Sequence, residues 1–328
     1  MSKNKKFLMG CSALILIGAT IMFIGFLFGG RVYRMYLNNS GFHVATPEDP
    51  YGDGSDPTPK YEENDITLDA FQNIETQNSY SDFRIVLSDH YGLSYCLNSR
   101  SYNLKYSVEN NTLEIMQEPS SYNMSTSFNW FNFNVGDFHS YSDTKDEFIT
   151  VYLPKEALLK NVFLFSESGD IDVSGLNCDS LSVKNTYGDI NLTDVYIEND
   201  MYMKLETCSV NMDNTNASLL DIQNEYGDIR ADVLAADSLK LNLATVTSRF
   251  TNLTVDSIDA QTEYGDIDFT LLTPVEEYNY QLSAEYGEIY INGTNMGTKY
   301  NSITQNPTGK NINISSDTGD ITISNKIN

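Results

Sequence analysis

Basic residues are scarce in this chain, and their scarcity excludes a large class of partners. Only 20 Lys and Arg stand against 45 Asp and Glu, a net charge of −25 over 328 residues. A nucleic-acid backbone needs clustered cations, so nucleic acid is not expected as a partner. Cysteine is also sparse. Of four, Cys11 lies in an apolar run, which leaves Cys96, Cys178 and Cys208 as an odd set that declares no disulfide framework. Buried free thiols are favoured over a Cys178–Cys208 bridge. The three histidines, His43, His90 and His139, fall at no metal-ligand spacing with them. No nucleophile elbow, phosphate-binding loop or zinc-protease motif is present. No catalytic residue, metal or cofactor is therefore expected.

What is present first is one long uncharged run. Residues 7–30, FLMGCSALILIGATIMFIGFLFGG, carry no charge over 24 positions and as a helix would cover roughly 36 Å. This predicts a single N-terminal transmembrane helix, with residues 1–6 as a cytoplasmic tail held inside by Lys3, Lys5 and Lys6. The run is longer than a cleaved signal core and ends without a small-x-small exit, so it is read as a retained signal-anchor. Residues 1–34 hold five basic groups and no acid, and the remaining 294 residues carry 15 basic and 45 acidic groups, a net of −30. The rest of the chain is then placed outside the cell membrane, anchored through residues 7–30.

Residues 31–65, with ATPEDPYGDGSDPTPKYEEND, are too rich in Pro, Gly and acid to bury a core and read as an acidic flexible linker. Residues 66–150 change texture. DFRIVLSD, YNLKYSVEN and NTLEIMQ alternate apolar and polar residues at period two, the signature of strands. An aromatic-rich stretch follows, in which Phe128, Trp130, Phe131 and Phe133 form either a hydrophobic cap on the first coil or a recognition surface.

From residue 151 to 328 a short motif recurs: SGDI at Ser168–Ile171, YGDI at Tyr187–Ile190, Tyr226–Ile229 and Tyr264–Ile267, YGEI at Tyr286–Ile289, and TGDI at Thr318–Ile321. Its glycines, 169, 188, 227, 265, 287 and 319, are separated by 19, 39, 38, 22 and 32 residues. The two longest gaps are twice 19 or 20, and KLETCSVNM and KLNLATVTSRF supply degenerate units inside them. Units this short cannot bury their own apolar face and must stack. The expected fold is all-β, a parallel β-solenoid of coils about 19–20 residues long.

The motif residues Gly169, Asp170, Gly188, Asp189, Gly227, Asp228, Gly265, Asp266, Gly287, Glu288, Gly319 and Asp320 read as structural turns, glycine for its backbone freedom and the acid for bonding nearby N–H groups. Identical acids on adjacent coils would lie about 4.8 Å apart. Their alternation with Ser209 and Thr247 in mid-array is accordingly read as avoidance of like-charge contact. Calcium along the turns would call for glycine-rich nonapeptides, which are absent. Tyr187, Tyr226, Tyr264 and Tyr286 are expected to stack on one another and pin the corner, with a ligand platform as the alternative.

Val151–Leu192, VYLPKEALLKNVFLFSESGDIDVSGLNCDSLSVKNTYGDINL, with the later YGDI copies, resembles the bacterial "putative adhesin" group of β-strand-repeat domains of unknown function. The resemblance covers about residues 66–328. It implies a repetitive β fold outside the cytoplasmic membrane and no active site.

The expected function is a non-enzymatic, membrane-anchored extracellular structural or interaction module of the bacterial cell envelope, adhesin-like, holding cell-wall polymer or an envelope protein. An envelope-stress or regulatory accessory protein acting through a membrane partner is the alternative. A glycan-active enzyme ranks below both, because a periodic Asp serves the scaffold wherever the turn occurs, whereas hydrolysis needs one selected pair in a cleft.

Overall fold

A computed structural model describes residues 18, 35–38, 41–44, 61–97, 102–119, 147–303 and 309–326. The chain divides into two compact units, Met1–Thr58 with Tyr122–Thr144, and Pro59–Ser121 with Lys145–Asn328. In the first, the strands Met35–Asn38 and Gly41–Val44 pair as an antiparallel hairpin. Of residues 7–30 only Gly18 is described. The expected membrane helix thus lies outside the described residues, among which no helix is long and apolar enough to cross a membrane. The aromatic candidates Phe128, Trp130, Phe131 and Phe133 lie outside them as well.

The second unit is built almost entirely of β-strands, with one 3-10 turn at Val275–Glu277. Its strands form one continuous sheet wound into coils, each contributing a long strand, the Gly-Asp corner, a shorter strand and a second corner. Parallel pairing advances by 19 or 20 residues per coil: Leu159↔Cys178, Leu181↔Met201 and Met201↔Leu220 on one face, Ile171↔Ile190, Ile190↔Val210 and Ser248↔Ile267 on the other. The segment Val210–Tyr264 runs as uninterrupted strand through 55 residues and includes the unit KLNLATVTSRF, while KLETCSVNM bridges the end of Asp200–Thr207 and the start of this segment. The period read from the motif is therefore the coil length.

At both ends the stack departs from sequence order. Asn73–Asn78 and Asp82–Ser88 form a coil that pairs with Leu159–Ser168 and Ile171–Ser174 on one side. On its other side lie Thr112–Pro119 and Phe148–Pro154. At the far end, Asn311–Thr318 and Ile321–Asn325 lie between Ser257–Leu271 and the coil made by Asn279–Ala284 and Ile289–Ile291. The 22- and 32-residue gaps have this origin: Gly265 neighbours Gly319, and Gly319 neighbours Gly287. Beyond the outer coils the pairing turns antiparallel, through Tyr102–Glu109, Gly92–Leu97 and Tyr61–Thr67 at one end. Lys299–Ser302 and Thr294–Gly297 do the same at the other. In this unit the coils thus include strands before residue 151 and the pairing reaches back to Tyr61, and the stretch read as linker also holds the hairpin at 35–44 of the first unit.

Inward positions form columns along the stack. The residue after each Gly-Asp turn is buried in every coil: Phe83, Ile171, Ile190, Val210, Ile229, Ser248, Ile267, Ile321 and Ile289. Ser248 is the exception in chemistry, and its buried hydroxyl has no hydrogen-bond partner among the described residues. Cys96, Cys178 and Cys208 are buried, and Cys178 and Cys208 are not bridged to each other. Burial pushes the Cys178 thiol up to about 12 and the Cys208 thiol up to about 11, so both stay protonated at neutral pH.

The second corner is a ladder of left-handed residues: Gly175, Asp194, Asn214, Val233 and Asn252, with φ of 71°, 55°, 52°, 55° and 54°. Asp and Asn tolerate that region, and the Asn214 amide donates to the Asp194 carboxylate on the coil before it at 2.6 Å. Val233 is misplaced there, because a β-branched residue is strained at positive φ. It is also 46% exposed, so little burial is lost on replacing it. Val233→Asn should raise stability by about 1 kcal/mol, read as a higher urea midpoint at unchanged slope. A lower midpoint would show that Val233 is held by packing instead.

Candidate functional site

The Gly-Asp corner holds every motif residue singled out in the sequence, and the stack brings them into one line. A Cβ on Gly188 would meet the carbonyl oxygen of Gly169 at 2.3 Å, one on Gly227 that of Cys208 at 2.2 Å, and one on Gly265 that of Val246 at 2.2 Å. Each glycine is seated on the backbone of the coil before it, with φ of 125° to 126° in these three cases. Cys208 and Val246 occupy the column in the two degenerate units and are not at positive φ. The corner therefore alternates between two backbone forms in mid-array.

The acids do not alternate throughout. In stack order the column reads Asp82, Asp170, Asp189, Ser209, Asp228, Thr247, Asp266, Asp320, Glu288, so three acids run consecutively at each end. Avoidance of like charge is thus not the rule that sets the column. Where acids are neighbours, the carboxylate accepts the next acid's backbone N–H: Asp189 N donates to Asp170 Oδ1 at 2.8 Å, Asp320 N to Asp266 Oδ1 at 2.9 Å, and Glu288 N to Asp320 Oδ1 at 2.9 Å. Two charges this close repel by about 1 kcal/mol in water, whereas a hydrogen bond to a charged acceptor contributes about 1.5–3 kcal/mol. The bond outweighs the repulsion. These carboxylates are committed to the scaffold.

Behind the corner sits a residue the motif reading missed. Asn185 and Asn224 are buried, and their amides donate to the carbonyls of Gly169 and Cys208, at 3.2 and 2.8 Å. Those are the carbonyls on which Gly188 and Gly227 rest. In these two copies the signature extends to Asn-x-Tyr-Gly-Asp, with Thr262 and Ala284 in the asparagine place before Tyr264 and Tyr286, and Asn78-Ser-Tyr80-Ser-Asp82 is a further copy with Ser81 in the glycine place. Asn, Tyr and Asp at the same offsets were the signal that could have found it.

The tyrosines are placed differently from the expectation. Tyr187 lies beside Thr207 and Thr207 beside Tyr226; Tyr264 lies beside Thr318, which neighbours Tyr286. Tyrosine thus occupies every second coil, with Ser168, Thr207, Thr245 and Thr318 between, and Tyr–Tyr stacking does not pin the corner. Tyr187, Tyr226, Tyr264 and Tyr286 are 56, 53, 56 and 75% exposed. The residue before Tyr226, Tyr264 and Tyr286 is an exposed glutamate, Glu225, Glu263 and Glu285, whereas the half-buried Thr186 precedes Tyr187 and the exposed Glu206 precedes Thr207 on the coil between.

An open depression of about 330 Å³ is lined by Asn191, Asn211, Arg230, Asp232, Arg249 and Thr251. Its guanidinium groups are engaged, Arg230 with Asp228 at 2.6 Å and Arg249 with Asp268 at 3.2 Å. Among the described residues no group of three or more His, Cys, Asp and Glu could hold a metal. His90 is not set against Cys96: Nδ1 faces Asp89 at 2.7 Å and Nε2 faces Asp65 at 2.8 Å. The bond to Asp89, aided by Asp65, holds the His90 pKa above its ordinary 6.5. The contact is then fully favourable below that value and is lost as pH rises through the raised one. Ring-proton NMR should give a midpoint above 6.5 that falls in Asp89→Asn; a midpoint at or below 6.5 would refute the arrangement.

Residues 64–324 match the family described as Toastrack DUF4097. Among solved structures, a "putative adhesin" from Bacteroides fragilis is 15% identical, covering 83% of this chain and 100% of its own, with a TM-score of 0.39. A "putative adhesin" from Parabacteroides distasonis is 10% identical, covering 80% and 95%, with a TM-score of 0.40. A "putative lipid binding protein" from the same species is 14% identical, covering 83% and 98%, with a TM-score of 0.39. No curated protein matches. The extent of the family match, over most of the coil stack, settles the assignment: the chain belongs to the Toastrack DUF4097 family.

Proposed function

We propose that this protein is a non-enzymatic interaction module of the bacterial cell envelope, carried outside the membrane by an anchor at residues 7–30, and adhesin-like in using its stacked surface to hold wall polymer or another envelope protein. The observation that carries this reading is the corner itself, where chemically equivalent exposed side chains repeat along the stack. A periodic surface suits a partner that is itself repetitive, since many weak contacts add up when they are linked. The turn carboxylates favour no hydrolytic reading, because those that neighbour one another are bonded to backbone N–H groups.

The test has two parts. Protease added to intact cells should digest the stack while a fragment containing residues 7–30 stays with the membranes. The full chain in detergent should be retained by isolated envelope material and leave glycans uncleaved. Recovery in the cytosol, or glycan cleavage by the purified chain, would overturn the proposal.

A further inference from the structure

We propose that the tyrosine column is a docking comb for a lysine- or arginine-bearing polypeptide in the polyproline II conformation. The inference deepens the interaction-module reading and rests on it. Tyr187, Tyr226, Tyr264 and Tyr286 sit at the same register position of every second coil and are more than half exposed. With strands about 4.8 Å apart, successive tyrosines repeat about every 9.6 Å.

That repeat selects among extended ligands. A polyproline II helix turns once per three residues and rises about 3.1 Å per residue, so equivalent side chains recur about every 9.3 Å. Across the three intervals of this comb the mismatch accumulates to only about 1 Å. A β-strand ligand repeats at about 6.8 Å and an α-helix at about 5.4 Å, and neither keeps step. Aromatic rings are the usual partners of polyproline II segments, because the rigid ligand loses little entropy on docking.

Charge fixes the second property of the ligand. Glu225, Glu263 and Glu285 precede Tyr226, Tyr264 and Tyr286, and Glu206 lies in the same column on the coil between Tyr187 and Tyr226; all four are exposed, and none takes part in an ion pair among the described residues. Unlike the turn aspartates, they bond no backbone of the next coil, so their charge is available to a partner. A cationic side chain recurring once per turn would meet a tyrosine face and a carboxylate together, which joins cation–π attraction to ion pairing. The Thr and Ser between tyrosines leave space between the teeth.

The experiment uses the full chain in detergent micelles and a fluorescent peptide of about eighteen residues repeating Pro-Pro-Lys, with binding followed by anisotropy. The wild type should bind it, and the Tyr226→Ser/Tyr264→Ser double variant at least about tenfold more weakly. The substituted residue matches the chemistry of the alternate coils, and an unchanged melting temperature verifies the fold. A Pro-Pro-Gln peptide should lose most of the affinity, as should a peptide of the same composition with its lysines grouped. Equal binding of the variant, equal binding of either control peptide, or binding of a chito-oligosaccharide in place of the cationic peptide would overturn the comb. Retention of the full chain by envelope material alongside such a failure would sink the peptide assignment while leaving the interaction module standing.

Discussion

Gly227→Ala should cost about 3–5 kcal/mol of stability, because two penalties fall on one atom. At φ of 126° the backbone is strained for any L side chain, and the added methyl would lie 2.2 Å from the Cys208 carbonyl oxygen. That oxygen also accepts the Asn224 amide, so it cannot retreat without breaking a buried hydrogen bond. Gly293 separates the two effects. Its φ is 73°, but nothing lies within 4 Å of where a Cβ would be, so Gly293→Ala should cost only about 1 kcal/mol. Urea denaturation followed by circular dichroism measures both, and equal losses at the two sites would show that close stacking on the carbonyl is not what demands glycine at the corner.

Phe250→Ala should be comparably severe, at about 3–5 kcal/mol. Phe250 is fully buried, with its ring 5.2 Å from that of Phe269 on the next coil, so truncation opens a cavity shared by two layers. In a stack where each coil touches only its neighbours, the damage should begin locally. Hydrogen exchange should therefore quicken first around Phe250 and Phe269, before the coil of Ile190 is affected. A loss below about 1 kcal/mol would mean the ring is not part of a closed core.

The middle of the array was legible because its contacts are short-range in sequence. Ile190 meets Val210 twenty residues on, and Ser248 meets Ile267 nineteen on, so the spacing of the glycines records the geometry directly. The ends were not legible, since Asn73 pairs with Asn161 and Ser257 with Asn311, separations that leave no period. The acid column was misread for a different reason. Coulomb repulsion between Asp170 and Asp189 can be foreseen from spacing, but the bond from the Asp189 N–H to the Asp170 carboxylate depends on corner geometry. Tyrosine alternation was present in the sequence and was interpreted by analogy with ladders of identical residues. Only the register of Thr207 and Thr318 separates stacking from spacing.

The out-of-order coils bear on how the protein carries load. A conventional helical stack pulled by its last strand can unzip, one hydrogen-bonded edge at a time. Here the strands Asn311–Thr318 and Ile321–Asn325 are held along both edges, by residues 257–271 on one side and by Asn279–Ala284 with Ile289–Ile291 on the other. Tension applied beyond Asn325 must tear two ladders together, and the coil of Asn73–Asn78 and Asp82–Ser88 is clamped in the same way by Leu159–Ser168 with Ile171–Ser174 and by Thr112–Pro119 with Phe148–Pro154. The arrangement also sets a schedule for synthesis: the coil at 279–291 gains its parallel neighbour only once Asn311–Thr318 and Ile321–Asn325 have left the ribosome, so this end of the stack closes as a latch at that step.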